Sequence, residues 1–156
     1  MLGLRLMRLI ERHSEELAFG LARKLRSADR TSDFRKIPTE EVVLAAADIY
    51  RHLGEWLLHK TEAEIEGRFR ELATRRAAEG VSLHQLVWAL TISRNHLRQF
   101  LQAESCADNI VALYGELELQ QLLNQFFDRV IYYCVLGYTG ATERNSEREL
   151  LSVPRR

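Results

Sequence analysis

The sequence predicts an all-α protein made of a single domain, and three observations support this. The chain has 156 residues, a usual length for one domain, and 46% of them are hydrophobic, enough for a sizeable core. Only two prolines and eight glycines interrupt it, which favours long helices over many short strands. Apolar residues recur at helical spacing along most of the chain. We expect one globin-like or bundle-like domain of about five helices over residues 1–150, followed by a disordered tail at residues 151–156.

The first predicted helix spans about residues 2–25, because its apolar residues fall on one face at helical spacing. Arg5 and Arg8 interrupt its first apolar turns, which is typical of an amphipathic helix and not of a secretory signal peptide. Residues 27–37 are mostly polar and show no periodicity, so they are predicted to form a loop.

The second predicted helix follows Pro38 and continues to Leu57. Thr39 is its predicted N-terminal cap, since a threonine side chain can accept a hydrogen bond from the backbone of the first turn. Two glutamates follow directly, where negative charge suits the positive end of the helix dipole.

The third and fourth helices are predicted from their end signals. Thr61 with Glu64 forms a capping-box pattern that begins the third helix, and Gly80 is predicted to end it in the left-handed conformation. Ser82 and Gln85 repeat the capping-box pattern at once, so the fourth helix follows after a very short turn. Such short connections join antiparallel neighbours.

The last predicted helix is long and begins at about Asn109, with Asp108 as its predicted cap. It contains seven consecutive apolar residues at positions 130–136, which surround the helix and should be covered on every side. Two interpretations account for this run: a central core helix, or a helix that packs against a second copy of the chain. Gly137 and Gly140 are predicted to weaken the helix beyond the run.

The composition argues against several classes of protein. Lys plus Arg and Asp plus Glu number 22 each, and this balance gives no support for nucleic-acid binding. No uncharged apolar stretch is long enough for a membrane span. Cys106 and Cys134 have no metal-ligand spacing, and a domain of this size needs no disulfide, so a reducing, cytoplasmic location is expected.

No motif for catalysis is present, since the chain has neither a Gly-x-Ser-x-Gly sequence nor a glycine-rich phosphate loop. His52, Glu55 and His59 share part of one helical face, but without a second cluster a solvated polar face explains them better than a metal site. His84 or His96 could serve as an axial haem ligand. A haem- or small-ligand-binding globin-like protein is therefore the alternative function, while the main prediction is a non-enzyme with no cofactor.

Three polar residues interrupt the predicted apolar faces: His13, Arg76 and Arg94. Burying an arginine is unfavourable unless it is paired and hydrogen-bonded. Three interpretations are open. These residues have local partners or stems that reach outward, they form a ligand pocket for an anionic or polar small molecule, or they take part in a dimer interface.

Several segments resemble the N-terminal domain of RsbR-type stressosome regulators. They are Ile-Glu-Arg-His-Ser at residues 10–14, Thr-Glu-Glu at residues 39–41 and the arginine-rich stretch at residues 68–86. The most specific parts are Gly-Val-Ser-Leu at residues 80–83 and Ala-Leu-Thr-Ile-Ser-Arg at residues 89–94. These motifs are mostly caps and core positions, so they support the fold more directly than the function.

The resemblance covers about residues 8–140. It implies a globin-like fold without haem, a homodimer, and a position in front of a signalling output such as a STAS domain, a histidine kinase or a transcription regulator. It also implies that the domain senses an input, and it supplies no catalytic residues. No output domain follows within this sequence, so we expect either a stand-alone version or a piece of a longer regulator.

These inferences lead to a non-catalytic, dimeric sensor or regulatory domain of bacterial signal transduction, with a downstream signalling protein as its partner. A purely structural adaptor is the third hypothesis. The predicted dimer pairs the last helices through Phe126, Val130 and Tyr133, with Trp88 and Ile92 as further contacts.

Overall fold

The computed structural model describes residues 3–154 of the chain. Within this range the protein consists of helices and contains no strand, which confirms the predicted fold class. A 3-10 helix spans Asp29–Lys36. The α-helices are α1 (Leu4–Arg12), α2 (Ser14–Ser27), α3 (Thr39–Arg51), α4 (Leu53–Leu58), α5 (Glu62–Ala78), α6 (Leu83–Ala103) and α7 (Ile110–Ser152).

Helix α7 is the central element of the fold. It packs most closely on α5 and also contacts α6, while α2 packs on α3. Val130 and Cys134, in its predicted apolar run, are fully buried. The central-helix interpretation therefore holds for this part of α7. The run is not covered on every side, however, because Tyr132 stays 60% exposed.

The prediction of about five helices missed two breaks. The first predicted helix divides at His13 and the second at His52, where the backbone ψ angles are 22° and 28° rather than helical. Helical hydrogen bonding nevertheless continues past His13, since the Leu17 N–H donates to the His13 carbonyl at 2.9 Å. The breaks therefore change the direction of each helix without inserting a loop.

The end signals of α5 are confirmed. The Glu64 N–H donates to Thr61 Oγ1 at 3.2 Å, and the Thr61 N–H donates to Glu64 Oε2 at 2.7 Å, which completes the capping box. The second of these bonds, from the Thr61 backbone, lowers the pKa of the Glu64 carboxyl. Gly80 has φ of 84°, the left-handed conformation that glycine adopts most easily.

The N-terminus of α6 is capped differently from the prediction. Ser82 makes no side-chain cap; its N–H and Oγ instead donate to Asp33 Oδ2 at 3.0 and 2.8 Å. The Gln85 amide oxygen accepts from the Asp33 N–H at 2.7 Å. The predicted loop at residues 27–37 is thus the 3-10 helix, and it supplies the capping carboxylate from a distant part of the chain.

Three smaller predictions also need correction. Thr39 is the first residue of α3 and not its cap, and no side chain caps that helix. Asn109, and not Asp108, caps α7 by accepting from the Ala112 N–H at 2.9 Å. Gly137 and Gly140 lie inside α7, which continues through both.

The described range leaves out two residues at each end. Residues 1–2, where the first predicted helix begins, and residues 155–156, in the predicted tail, lie outside this range. Leu151 and Ser152, also in the predicted tail, belong to the last turn of α7.

Candidate functional site

Arg76, near the end of α5, is buried with only 5% of its side chain exposed. Its Nη1 donates to Glu79 Oε2 at 2.7 Å, and the Glu79 side chain is 25% exposed. This ion pair neutralises the buried charge locally, which is the first of the interpretations that the sequence left open.

Beside Arg76 lies a cavity of about 100 Å³ between α2, α3, α5, α6 and α7. Its walls are mainly aliphatic and aromatic, so it is an apolar space at the edge of the core, partly open to the surface. The lining includes Leu21, Ile49, Phe69, Leu90, Phe126 and Val130.

Arg76 and Ala45 line both this cavity and a neighbouring open groove on the surface. The other residues of the groove are mostly charged, among them Asp48, Arg68 and Glu79. The Arg76–Glu79 pair therefore lies between the apolar interior and a charged surface.

Two hydroxyl-bearing residues also line the cavity. The Ser93 hydroxyl donates to the Ala89 carbonyl at 2.8 Å, as helical serines commonly do. The Tyr50 hydroxyl is buried and has no hydrogen-bond partner within the described residues. Burial raises the pKa of Tyr50 well above its usual value, so this side chain stays neutral. In the sequence Tyr50 only continues an apolar stripe, and nothing there shows that its hydroxyl lacks a partner.

The other two residues of the predicted ligand pocket lie elsewhere. His13 Nδ1 is 3.5 Å from Glu16 Oε2, and its ring centroid is 6.0 Å from that of Phe100. Arg94 Nη1 is 3.7 Å from Asp128 Oδ1, while its Nε is buried without a partner in the described part of the chain. Of the three predicted residues, Arg76 alone lines the cavity.

The predicted dimer contacts on α7 lie mostly inside the domain. Phe126 and Val130 are buried within one chain, with 3% and 1% exposure, so their side chains face the core and not the surface. Tyr133 is partly buried, and its hydroxyl donates to Glu62 Oε2 at 2.7 Å, a bond that raises the pKa of Tyr133. Part of the apolar run is thus covered by α5 and its neighbours, while Tyr132 stays exposed.

The predicted contacts on α6 remain nearer the surface. Trp88 is 38% exposed, and the guanidinium of Arg30 lies 4.9 Å from its ring centroid. Ile92 is partly buried against the core. Each of these two side chains is therefore only partly accessible at the surface.

A different apolar surface appears at the start of α7. Ile110, Leu113, Tyr114 and Leu117, here called the α7 face, are between 48% and 71% exposed. Their i, i+3, i+4, i+7 spacing places them on one side of the helix. The spacing is visible in the sequence, but it resembles that of a core face, and only the tertiary structure shows that nothing within residues 3–154 covers it.

The histidines considered for haem lie outside the cavity lining. His84 is exposed. His96 lies between α2 and α6, and its Nε2 hydrogen-bonds the Leu17 carbonyl at 2.8 Å. Burial lowers the pKa of His96, an effect that the Lys24 charge reinforces. The cavity is also far too small for a porphyrin, so none of this geometry favours haem.

The remaining reactive groups show no arrangement for catalysis or metal binding within residues 3–154. Burial raises the pKa of Cys134 to about 12, so its thiol stays protonated, and Cys106 is exposed. No group of three or more His, Cys, Asp or Glu side chains could hold a metal ion there. In the same range, no helix combines the length and hydropathy needed to cross a bilayer.

Comparison with known proteins gives one family match. The model of the RsbT co-antagonist protein rsbRD N-terminal domain matches residues 9–151, which is nearly the whole chain. No curated protein and no solved structure matches significantly.

Proposed function

The chain belongs to the family of RsbT co-antagonist protein rsbRD N-terminal domains, and from this premise we propose that it is a non-catalytic, homodimeric sensor domain of bacterial signal transduction. Membership of this family indicates a stressosome-related regulatory role. The proposal adds the dimer, the absence of catalysis, a cytoplasmic location and a downstream signalling partner. The globin-like packing implied by the resemblance stays a prediction.

The observation that carries the proposal is the course of α7. The helix begins at the exposed α7 face, passes through the core, and continues to Ser152. In the core, Phe126, Phe127 and Val130 line the cavity. Residues 142–153 are all exposed. A single continuous helix therefore joins an uncovered apolar surface, the interior, and a projecting end through which a change in packing could be passed on.

The α7 face supports a second copy as its occupant. Four large apolar side chains on adjacent turns form a contiguous patch, and such patches on soluble proteins commonly mark association sites. The patch contains no charged residue, so an identical surface meets it without repulsion in a two-fold arrangement. This surface replaces Phe126 and Val130 as the proposed α7 part of the interface.

The dimer is tested by size-exclusion chromatography with light scattering on wild type and two variants. We expect the wild type to have twice the monomer mass of 18.1 kDa, and Leu117→Glu to reduce it to the monomer value. Leu44→Glu is the matched control, because Leu44 is also exposed, at 69% against 50% for Leu117, but lies on α3. A monomeric wild type would contradict the proposed dimer. A dimeric Leu117→Glu together with a monomeric Leu44→Glu would contradict the proposed interface.

The regulatory role is tested in the source bacterium. Strains that carry wild type, Leu117→Glu or Leu44→Glu at the native locus are compared for induction of stress-response transcripts after salt shock. We expect an altered response only with Leu117→Glu, at unchanged protein abundance. An identical response in all three strains, with the dimer lost in Leu117→Glu, would separate dimerisation from signalling and refute their proposed link.

A further inference from the structure

We propose that the central cavity binds a small, neutral, mostly apolar molecule that carries one hydrogen-bond acceptor. This inference rests on the proposed sensor function only in treating that molecule as the input of the sensor. The binding site itself is argued from the size of the cavity, its lining, its one unpartnered hydroxyl and its boundary with the surface groove.

The volume limits the size of the ligand. An apolar cavity of about 150 Å³ holds a benzene molecule. The cavity here measures about 100 Å³, two thirds of that volume, which suits a short branched molecule of about four non-hydrogen atoms. Residues from α2, α3, α5, α6 and α7 line it, together with Phe34 of the 3-10 helix.

The lining determines the polarity of the ligand. Most walls are hydrocarbon, such as Leu21, Leu90 and Val130, and these favour an apolar molecule. The Tyr50 hydroxyl is the exception, because it is buried without a partner in the described range. The hydroxyl oxygen itself has almost no accessible surface, so a ligand in the cavity would have to displace neighbouring side chains to bring an acceptor oxygen to it. A neutral hydroxyl can donate one hydrogen bond, and that acceptor would satisfy it.

The charge balance at the boundary favours a neutral ligand. Arg76 is the one charged residue in the lining, and Glu79 already neutralises it at 2.7 Å. A carboxylate ligand would compete with Glu79 for the guanidinium and leave one of the two negative charges without its partner. Because Arg76 and Ala45 also line the surface groove, entry is expected there through movement of the Arg76 side chain.

The test is a methyl-NMR titration of the whole chain with two isosteric probes of four non-hydrogen atoms each, acetone and isobutene. Only the ketone offers an acceptor. We expect both to shift the methyl signals of Leu21, Leu90 and Val130, with the ketone binding about five- to tenfold more tightly, the usual contribution of one buried hydrogen bond. In Tyr50→Phe the two probes should bind with about equal affinity, and the affinity for the hydrocarbon should stay as in the wild type.

Tyr138→Phe is the matched control. Its hydroxyl donates to the Val81 carbonyl at 2.7 Å, and Tyr138 does not line the cavity, so the ketone preference should persist in this variant. Three results would overturn the proposal: no shift at the lining methyls, equal affinity for both probes in the wild type, or loss of the preference in Tyr138→Phe.

The outcome is independent of the test of the proposed function. Failure of both probes to bind a dimeric wild type would overturn this inference and leave the dimeric sensor in place. A monomeric protein that binds the ketone selectively would support this inference and overturn the dimeric sensor.

Discussion

Arg76, which is buried, and His96, which is half-buried, are two polar side chains that each depend on a single hydrogen-bond partner. Arg76 relies on the Glu79 carboxylate, and His96 relies on the Leu17 carbonyl. Groups of this kind destabilise the fold strongly when a partner is lost, because the remaining group stays desolvated. Each therefore makes a prediction that can be tested by removing one side of the interaction.

Breaking the Arg76–Glu79 pair should depend on which residue is replaced. Glu79→Gln leaves the guanidinium buried with a neutral partner, and we expect the free energy of unfolding to fall by about 1–3 kcal/mol, below the range for fully buried pairs because Glu79 is partly exposed. Arg76→Met removes the buried charge and leaves Glu79 able to contact water, so its effect should stay within about 1 kcal/mol. Urea unfolding measures both, and a larger loss in Arg76→Met would contradict this account.

His96 should make the stability depend on pH. Burial first, and the Lys24 charge second, lower its pKa in the folded state below the usual 6.5. The unfolded chain then binds the proton more tightly, so the free energy of unfolding is highest above pH 6.5 and falls as the pH drops below it.

The matched variants are His96→Gln, which keeps a donor for the Leu17 carbonyl but does not titrate, and His84→Gln at an exposed histidine. Urea unfolding is measured at pH 7.5 and 5.5. Between these two values the free energy of unfolding should decrease less in His96→Gln than in the wild type, and as much in His84→Gln as in the wild type. An equal decrease in all three proteins would assign the effect to other groups.

At the scale of elements, the closest packing in the fold is the crossing of α5 and α7. An added Cβ at Gly137 would lie 2.6 Å from both Cα and the carbonyl oxygen of Arg70. These are backbone atoms, which cannot move aside as a flexible side chain would. The glycine therefore allows the two helices to approach, and the predicted weakening of α7 is offset by this contact.

Gly137→Ala is expected to force the helices apart and lower the free energy of unfolding by about 1–3 kcal/mol, the range for overpacked cores. Gly140→Ala is the control, since its Cβ would meet only the end of the Arg144 side chain at 3.5 Å. Alanine should raise the stability there by about 0.5–1 kcal/mol through helix propensity. Thermal unfolding of both variants checks the opposite signs, and a Gly137→Ala protein as stable as wild type would exclude a tight crossing.

The elements that the sequence predicted correctly are those that local contacts determine. The Thr61–Glu64 capping box and the Gly80 turn each involve residues only a few positions apart, so the local sequence pattern is sufficient to predict them. The cap of α6 could not be predicted in the same way, because Asp33 supplies it from 49 residues away. No glycine or proline lies beside the break at His13, and Gly54, two residues after His52, lies inside α4 and not at the break, so neither position is marked in the sequence.

The candidate site could be predicted only in part for the same reason. Arg76 stands out in the sequence because a charge interrupts an apolar face. Tyr50 does not, since only the fold shows that its hydroxyl lacks a partner. The α7 dimer contacts were placed in or near the densest apolar run, yet neighbouring helices bury Phe126 and Val130, whereas the residues of the α7 face are exposed.

At the scale of the whole molecule, stability should be distributed unevenly along α7. Its middle is buried by neighbouring helices, whereas residues 142–153 have no buried side chain. A helical segment of this length without tertiary contacts is only marginally stable in water. The projecting end should therefore open locally without unfolding of the rest.

Hydrogen–deuterium exchange with mass spectrometry tests this distribution. Amides at residues 142–152 should exchange many times faster than those at residues 123–137, whose exchange requires opening of the core. Residues 110–117 provide an internal comparison, because in the proposed dimer their protection rises with protein concentration while that of the projecting end does not. If the projecting end is instead as protected as the core, and increasingly so at higher concentration, the two chains associate along the end of α7 and the α7 face is not the dimer surface.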